Sequence, residues 1–184
     1  MLTIYRRHVK GCAHQHDGRK YRRCRCPIWV DGFLNGVELR ESLGMRDWEK
    51  AQQTYQKVMQ LQPENPVAAN NLAYLMLEHD LNADIALSLA QTGRRGLPNS
   101  PRAADTLGWA YYHKGTYHSA VDLLQEAEKQ SPKDANICYH LGLSYEKLGD
   151  KVRAKAEFER ALQISPNPRA AEIRLLLAEL KRPG

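Results

Sequence analysis

Nowhere does the chain approach the run of roughly 18 apolar residues that a membrane-spanning helix requires, and its mean hydropathy is −0.62. Its opening, MLTIYRRHVKGC, puts charges where a secretory leader has an apolar stretch. The expectation is a soluble, cytoplasmic protein that is neither exported nor membrane-inserted. Catalytic signatures are missing as well: there is no glycine-rich phosphate loop, no G-x-S-x-G elbow and no H-E-x-x-H. That points away from an enzyme. Cysteine is scarce, four in 184 residues, and in a cytoplasmic chain, whose compartment keeps thiols reduced, clustered thiols suggest metal more than a disulfide.

What is present suffices for a core. The chain is 42% hydrophobic and 26% charged, outside the range of disordered compositions, and its length suits one domain or a small module joined to a larger one. Charge divides it. Residues 1–50 carry 11 Lys/Arg against 6 Asp/Glu, a balance of +5, whereas residues 51–184 carry 16 against 15, only +1. Within the first 26 residues the count is 8 against 1. This is either a patch that meets a polyanion or a solvated basic arm. Cys12, Cys24 and Cys26 fall in the same segment beside His8, His14 and His16, while Cys138 stands alone. Two unlike parts are indicated.

The larger part repeats. Leu107-Gly108-x-x-Tyr111 aligns with Leu141-Gly142-x-x-Tyr145 at an offset of 34, which also maps Gly115 onto Gly149, Ala120 onto Ala154, Leu124 onto Phe158, Ala127 onto Ala161 and Pro132 onto Pro166. The same step back places Ala86 under Ala120 and Pro98 under Pro132, giving units 67–100, 101–134 and 135–168. Gly108 and Gly142 allow one helix to approach another closely, with Ala120 and Ala154 small on the opposite side. Gly115 and Gly149 suit a tight turn at positive φ, and Pro132 and Pro166 stop a helix. In unit one this offset puts Tyr74 in the Gly108 place and Gly93 in the Ala127 place.

This pattern resembles the tetratricopeptide repeat. The resemblance implies a mainly all-α fold, a right-handed solenoid of helix hairpins. Residues 48–66 would supply a shared helix and half repeat, with Ala51, Tyr55 and Val58 off by one from Ala86, Ala90 and Gly93. Residues 169–184 would supply a capping helix. Its Ile173, Leu175, Leu176, Leu177 and Leu180 either form a broad buried face or leave an apolar flank that favours a homo-oligomer.

In that family the first helix of each unit lines a peptide-binding groove. Carried across, the groove positions are Asn71, Leu75 and Glu78; Asp105, Trp109, Tyr112 and His113; and Tyr139, Leu143 and Glu146. Leu75 and Asp105 stand where some relatives clamp a terminal carboxylate, so no such clamp is expected. The aromatic residues are good peptide anchors; alternatively, Trp109 and Tyr112 pack between neighbouring units. His79, His113, His118 and His140 form no i, i+4 pair and read as surface or packing residues, and Cys138 as an inert thiol.

Residues 1–47 read as a small β-rich module. Ile28 and Val30 precede the turn candidates Asp31-Gly32 and Asn35-Gly36; Val37, Leu39 and Ser42 follow, Leu2–Tyr5 offer a further strand, and Asp47 suits the N-cap of a helix from Trp48. So small a sheet gains from a metal staple. Cys24 and Cys26 point to one side of an extended chain, and with Cys12 and one of His8, His14 or His16 they would make a Cys3His zinc site. The other reading is free thiols among basic residues.

The run YRRHVKGC…GRKYRRCRCPIWVDGFLNG…ESLGMRDWEKA, about residues 1–51, also resembles the N-terminal arm of phage-integrase-like tyrosine recombinases. It implies DNA contact through Arg6, Arg7, Arg19, Lys20, Arg22, Arg23 and Arg25 on phosphates. Recombination is not implied, because repeats stand where the catalytic domain would follow, and the arm can equally be a relic of gene fusion. No Gly/Ser/Pro-rich linker separates the two parts. The leading expectation is a non-catalytic scaffold that binds a peptide or protein partner; the alternative is a DNA-binding adaptor whose repeats recruit one.

Overall fold

The computed structural model describes residues 2–6, 28–34, 37–45, 48–164, 167 and 169–180, with side chains from Lys50 onward. The architecture is mainly helical. Eight helices follow one another among the described residues: α1 (Trp48–Leu61), α2 (Pro66–Glu78), α3 (Ala83–Gly96), α4 (Pro101–His113), α5 (Tyr117–Gln130), α6 (Ala135–Lys147), α7 (Lys151–Gln163) and α8 (Ala170–Leu180). Ahead of them the backbone forms three antiparallel strands, β1 (Leu2–Arg6), β2 (Ile28–Leu34) and β3 (Val37–Met45), in that order. Asp31-Gly32 is not a turn: it lies inside β2, where Asp31 pairs with both Thr3 and Arg40. Asn35-Gly36, Asp47, Arg7, Arg19, Lys20, Arg22, Arg23, Arg25, Cys12, Cys24, Cys26, His8, His14, His16 and Pro166 lie outside the described residues, and of Arg6 only the backbone is described.

Local chemistry marks the helix ends. Asn65, Asn82, Ser100, Asp134 and Asp150 each accept a backbone N–H in the first turn of the helix that follows, which satisfies donors the helix itself cannot. Pro66 and Pro101 open α2 and α4, where the missing N–H costs nothing. Gly115 and Gly149 take φ of 75° and 78°, and the turns close with Thr116 N–H donating to the Tyr111 carbonyl and Asp150 N–H to that of Tyr145.

Unit one closes the same way with one residue more. There Leu81 N–H donates to the Met76 carbonyl, and Asp80 takes the positive φ, 51°. Matching Leu81 to Thr116 and Met76 to Tyr111 makes the offset 35, as does matching the N-caps Asn65 and Ser100. From Ala86 onward the offset returns to 34. The first-helix register of unit one is therefore corrected by one: Ala73, fully buried, holds the Gly108 place, and Tyr74 the Trp109 place. The same extra residue accounts for α1, whose Ala51, Tyr55 and Val58 are buried 35 residues ahead of Ala86, Ala90 and Gly93.

The hairpins α2/α3, α4/α5 and α6/α7 are held by close helix approach. A Cβ on Gly108 would lie 2.8 Å from Leu124 Cγ, and one on Gly142 2.6 Å from the Phe158 ring. Leu124 and Phe158 are fully buried, each contributing about 1.5–3 kcal/mol of apolar transfer.

Between hairpins, α2 packs on α4 and α4 on α6. The second helices stand farther apart and are linked through long side chains: Arg94 on α3 to Glu126 on α5 at 2.5 Å, and Glu128 on α5 to Arg160 on α7. The stack therefore curves with the first helices on its inner side. At its end Ile173 of α8 is fully buried, and Leu176, Leu177 and Leu180 pack on the core, leaving Leu175 exposed. No helix among the described residues is long and apolar enough to cross a membrane.

Candidate functional site

The inner face of α2, α4 and α6 carries a continuous chain of rings. Trp109 sits at its centre, stacked on Tyr112 one turn along (centroids 4.6 Å apart, 17° between planes) and on His140 of the next unit (4.2 Å, 11°). His113 meets Trp109 edge-on at 4.5 Å. From His140 the chain continues to Tyr139 at 5.7 Å and to Tyr74 of unit one at 6.4 Å. All three units contribute because first-helix positions one turn apart share a helix face.

Polar groups thread this cluster. His140 Nδ1 lies 2.8 Å from Asp105 Oδ1; a carboxylate only accepts, so the imidazole donates from Nδ1. The opposite edge of His140 has no hydrogen-bond partner among the described residues, nor do Trp109 Nε1 and His113 Nε2. Burial holds the His113 imidazolium below the usual histidine range, against the attraction of Asp80. Burial likewise pushes the Tyr112 hydroxyl up to about 12, helped by Tyr117 and Glu146. Each shift disfavours the charged form in a partly desolvated site.

The cluster is closed from an unexpected direction. Arg169, just before α8, reaches Glu78 at the end of α2, 91 residues away in sequence, at 2.5 Å. Its guanidinium lies over the Tyr139 ring, 4.5 Å from the centroid, and Glu172 lies 3.8 Å from its other terminal nitrogen. The Tyr139 hydroxyl donates to Glu172 at 2.5 Å. Burial opposes the charge on Arg169, but Glu78, Tyr74 and Tyr139 outweigh it and raise its pKa.

Of the residues expected on this face, Glu78, Asp105, Trp109, Tyr112, His113 and Tyr139 belong to the cluster. Trp109, Asp105 and Tyr139 are buried rather than presented to solvent, so they pack between units as well as facing inward. Leu143 is buried in the core, Leu75 packs on it from a half-buried position, and Asn71 and Glu146 are half-buried. The corrected register replaces Asn71 and Leu75 with Asn70 and Tyr74 as the counterparts of Asp105 and Trp109. Tyr74, His140, Arg169 and Glu172 had not been expected there. Cys138 is buried, and burial, with Glu157 and Asp134 nearby, pushes its thiol up to about 12. Among the described residues no group of three or more His, Cys, Asp or Glu is placed to hold a metal ion.

Comparison with known proteins agrees with this architecture. A TPR repeat family model matches residues 108–149 and a tetratricopeptide repeat model residues 135–168; tetratricopeptide repeats are present in this chain. Neither match touches residues 1–51, so the recombinase-arm resemblance gains no support. Comparison with curated proteins finds no match. Among solved structures, the chain is similar to TTC0263, a thermophilic TPR protein of Thermus thermophilus, at 28% identity and a TM-score of 0.61 over 73% of each chain. It is also similar to MamA, at 25% identity and a TM-score of 0.55 over 73% of this chain and 82% of that one. A MamA fragment from Desulfovibrio magneticus RS-1 shares the fold at 21% identity and a TM-score of 0.55 over 66% and 68% of the two chains. Proteins built of such repeats generally mediate protein–protein interactions.

Proposed function

We propose that this chain is a non-catalytic scaffold that binds a peptide or protein segment along the inner face of α2, α4 and α6. The observation that carries the reading is the half-buried rim of the ring cluster, Tyr74, Tyr112 and His113, held in place by Trp109, Tyr139 and His140 buried beneath it. Such a rim offers aromatic contact area with little rotamer entropy to lose, and the polar groups of Tyr112 and Glu146 to fix register. Half-buried Tyr112 and Glu146 lie at its edge. Peptides selected from a random library on the full chain should lose at least about tenfold in affinity on Tyr112→Ala or Glu146→Lys. Binding that neither substitution weakens would place the site elsewhere.

The charge count of the first 26 residues, 8 basic against 1 acidic, favours a second reading, in which the N-terminal module docks on DNA while the repeats recruit a partner. Fluorescence anisotropy of labelled duplex DNA across a salt series tests it. Neutralising about four phosphates gives a log–log slope near −3.6, and substituting Arg19, Lys20, Arg22, Arg23 and Arg25 by Ala should abolish it. Zinc measured in the purified full chain tests the Cys12, Cys24, Cys26 and His8 (or His14, His16) site. An equimolar content lost in a Cys24→Ser, Cys26→Ser variant supports it.

A further inference from the structure

The segment that closes the ring cluster shows what kind of side chain the inner face is built to hold. Arg169 is not part of any repeat hairpin, yet its guanidinium is received on several sides. On the inner face Glu78 accepts from it at 2.5 Å and the Tyr139 ring lies beneath it at 4.5 Å, while Glu172 of its own segment stands 3.8 Å away. The Arg169 and Glu78 side chains are only 20% and 16% exposed. A carboxylate so enclosed is costly to leave without a cation. The flat aromatic platform beside it further selects a planar cation that can stack and donate at once, which arginine does and lysine does not.

We propose that the inner face is a guanidinium-recognising site, filled in this chain by its own Arg169, and that its partner is a protein segment presenting an arginine that takes this place. The proposal rests on the peptide-binding reading above and adds to it the chemistry of the ligand. The occupant in cis acts as an intramolecular competitor at high effective concentration. It hangs on a short helix that packs mainly on α7, so its first turn can yield while Ile173 keeps the rest of α8 in the core. Partner binding then exchanges one guanidinium for another, and Glu78 is paired in both states.

The test uses the full chain and two fluorescein-labelled synthetic peptides, one spanning residues 167–172, which stops short of the core-packed Ile173, and one identical except for R169K. Arg169→Ala removes the competitor in cis and leaves the receiving groups. This variant should bind the arginine peptide about tenfold more tightly than the wild-type chain does, and should prefer it about tenfold over the lysine peptide. Adding Glu78→Gln should abolish that preference. Equal affinity for the two peptides would overturn the guanidinium assignment while leaving the peptide-binding reading intact. No gain over wild type, or no binding at all, would overturn it too, and the library selection then judges the peptide-binding reading separately. If Arg169→Ala loses its helical circular dichroism, Arg169→Lys carries the test. It keeps the charge, and the same preference for the arginine peptide is expected, with equal binding again overturning the assignment.

Discussion

Asp105 on α4 and His140 on α6 meet at 2.8 Å across the boundary between units two and three, with the histidine wholly buried. The pair joins one unit to the next together with the stack of His140 on Trp109. Asp105→Ala would leave a buried imidazole N–H without an acceptor, at a cost of about 1–3 kcal/mol. Asp105→Asn keeps a carbonyl acceptor and should cost less. Urea unfolding of the two variants checks the order; equal losses would mean that the hydrogen bond is not the source.

The two kinds of glycine should fail for different reasons. Gly142→Ala drives a methyl to 2.6 Å from the buried Phe158 ring, an overpacking that costs about 1–3 kcal/mol. Gly149→Ala meets nothing within 4 Å but must adopt φ near 78°, at about 1–2 kcal/mol. Asparagine tolerates that backbone region, so Gly149→Asn should lose less than Gly149→Ala, whereas Gly142→Asn should lose more than Gly142→Ala. Denaturation midpoints at one pH decide it.

Cys138 should be chemically silent in the folded chain. Its thiol, pushed up to about 12 mainly by burial, carries almost no thiolate at pH 8, and the thiolate is the reactive form. In a full chain with Cys12→Ser, Cys24→Ser and Cys26→Ser, labelling by a thiol reagent should therefore proceed only as fast as the fold opens, and should speed up in urea. Fast labelling under native conditions would contradict the burial.

His113 makes stability depend on pH. Burial lowers its pKa, Asp80 and Glu78 oppose the shift, and His140 adds to it. With the folded value below the unfolded one near 6.5, the unfolded chain binds more protons between the two. This contribution is complete above the unfolded value and is lost as pH falls through the folded one. His113→Gln should flatten the decline in melting temperature below about pH 6.5; an unchanged slope would assign the decline to other groups.

Much of the helical part could be read from the sequence because its determinants are local and periodic. Gly108 and Gly142, Ala120 and Ala154, Gly115 and Gly149 each mark one helix approach or one turn, and they recur at one spacing. Unit one misled that reading through a single residue. The extra position in its turn shifts α1 and α2 together, so a fixed offset of 34 puts Tyr74 in the glycine place that Ala73 holds, and Asn71 and Leu75 in the places of Asn70 and Tyr74. The off-by-one register of Ala51, Tyr55 and Val58 was the signal of that insertion. The contact between Arg169 and Glu78 had no such signal, because it joins a segment outside the repeats to a residue 91 positions away through curvature that only the assembled stack produces. The burial of Trp109 between units was one of two readings the sequence left open, since the choice depends on His140 of the following unit stacking on its ring.

The links between second helices carry a meaning beyond their small energies. Arg94 and Glu128 occupy the same place in consecutive units, as do Glu126 and Arg160, yet the polarity of the link reverses from one boundary to the next. Exposed pairs of this kind contribute only about 0–1 kcal/mol each. Hairpins built on one repeating pattern, however, face a hazard of their own while folding: unit one can dock on unit three with unit two looped out. That slipped arrangement would set Arg94 against Arg160. The alternating signs thus act as a code for the order of the units, rewarding the true neighbour and repelling the next but one.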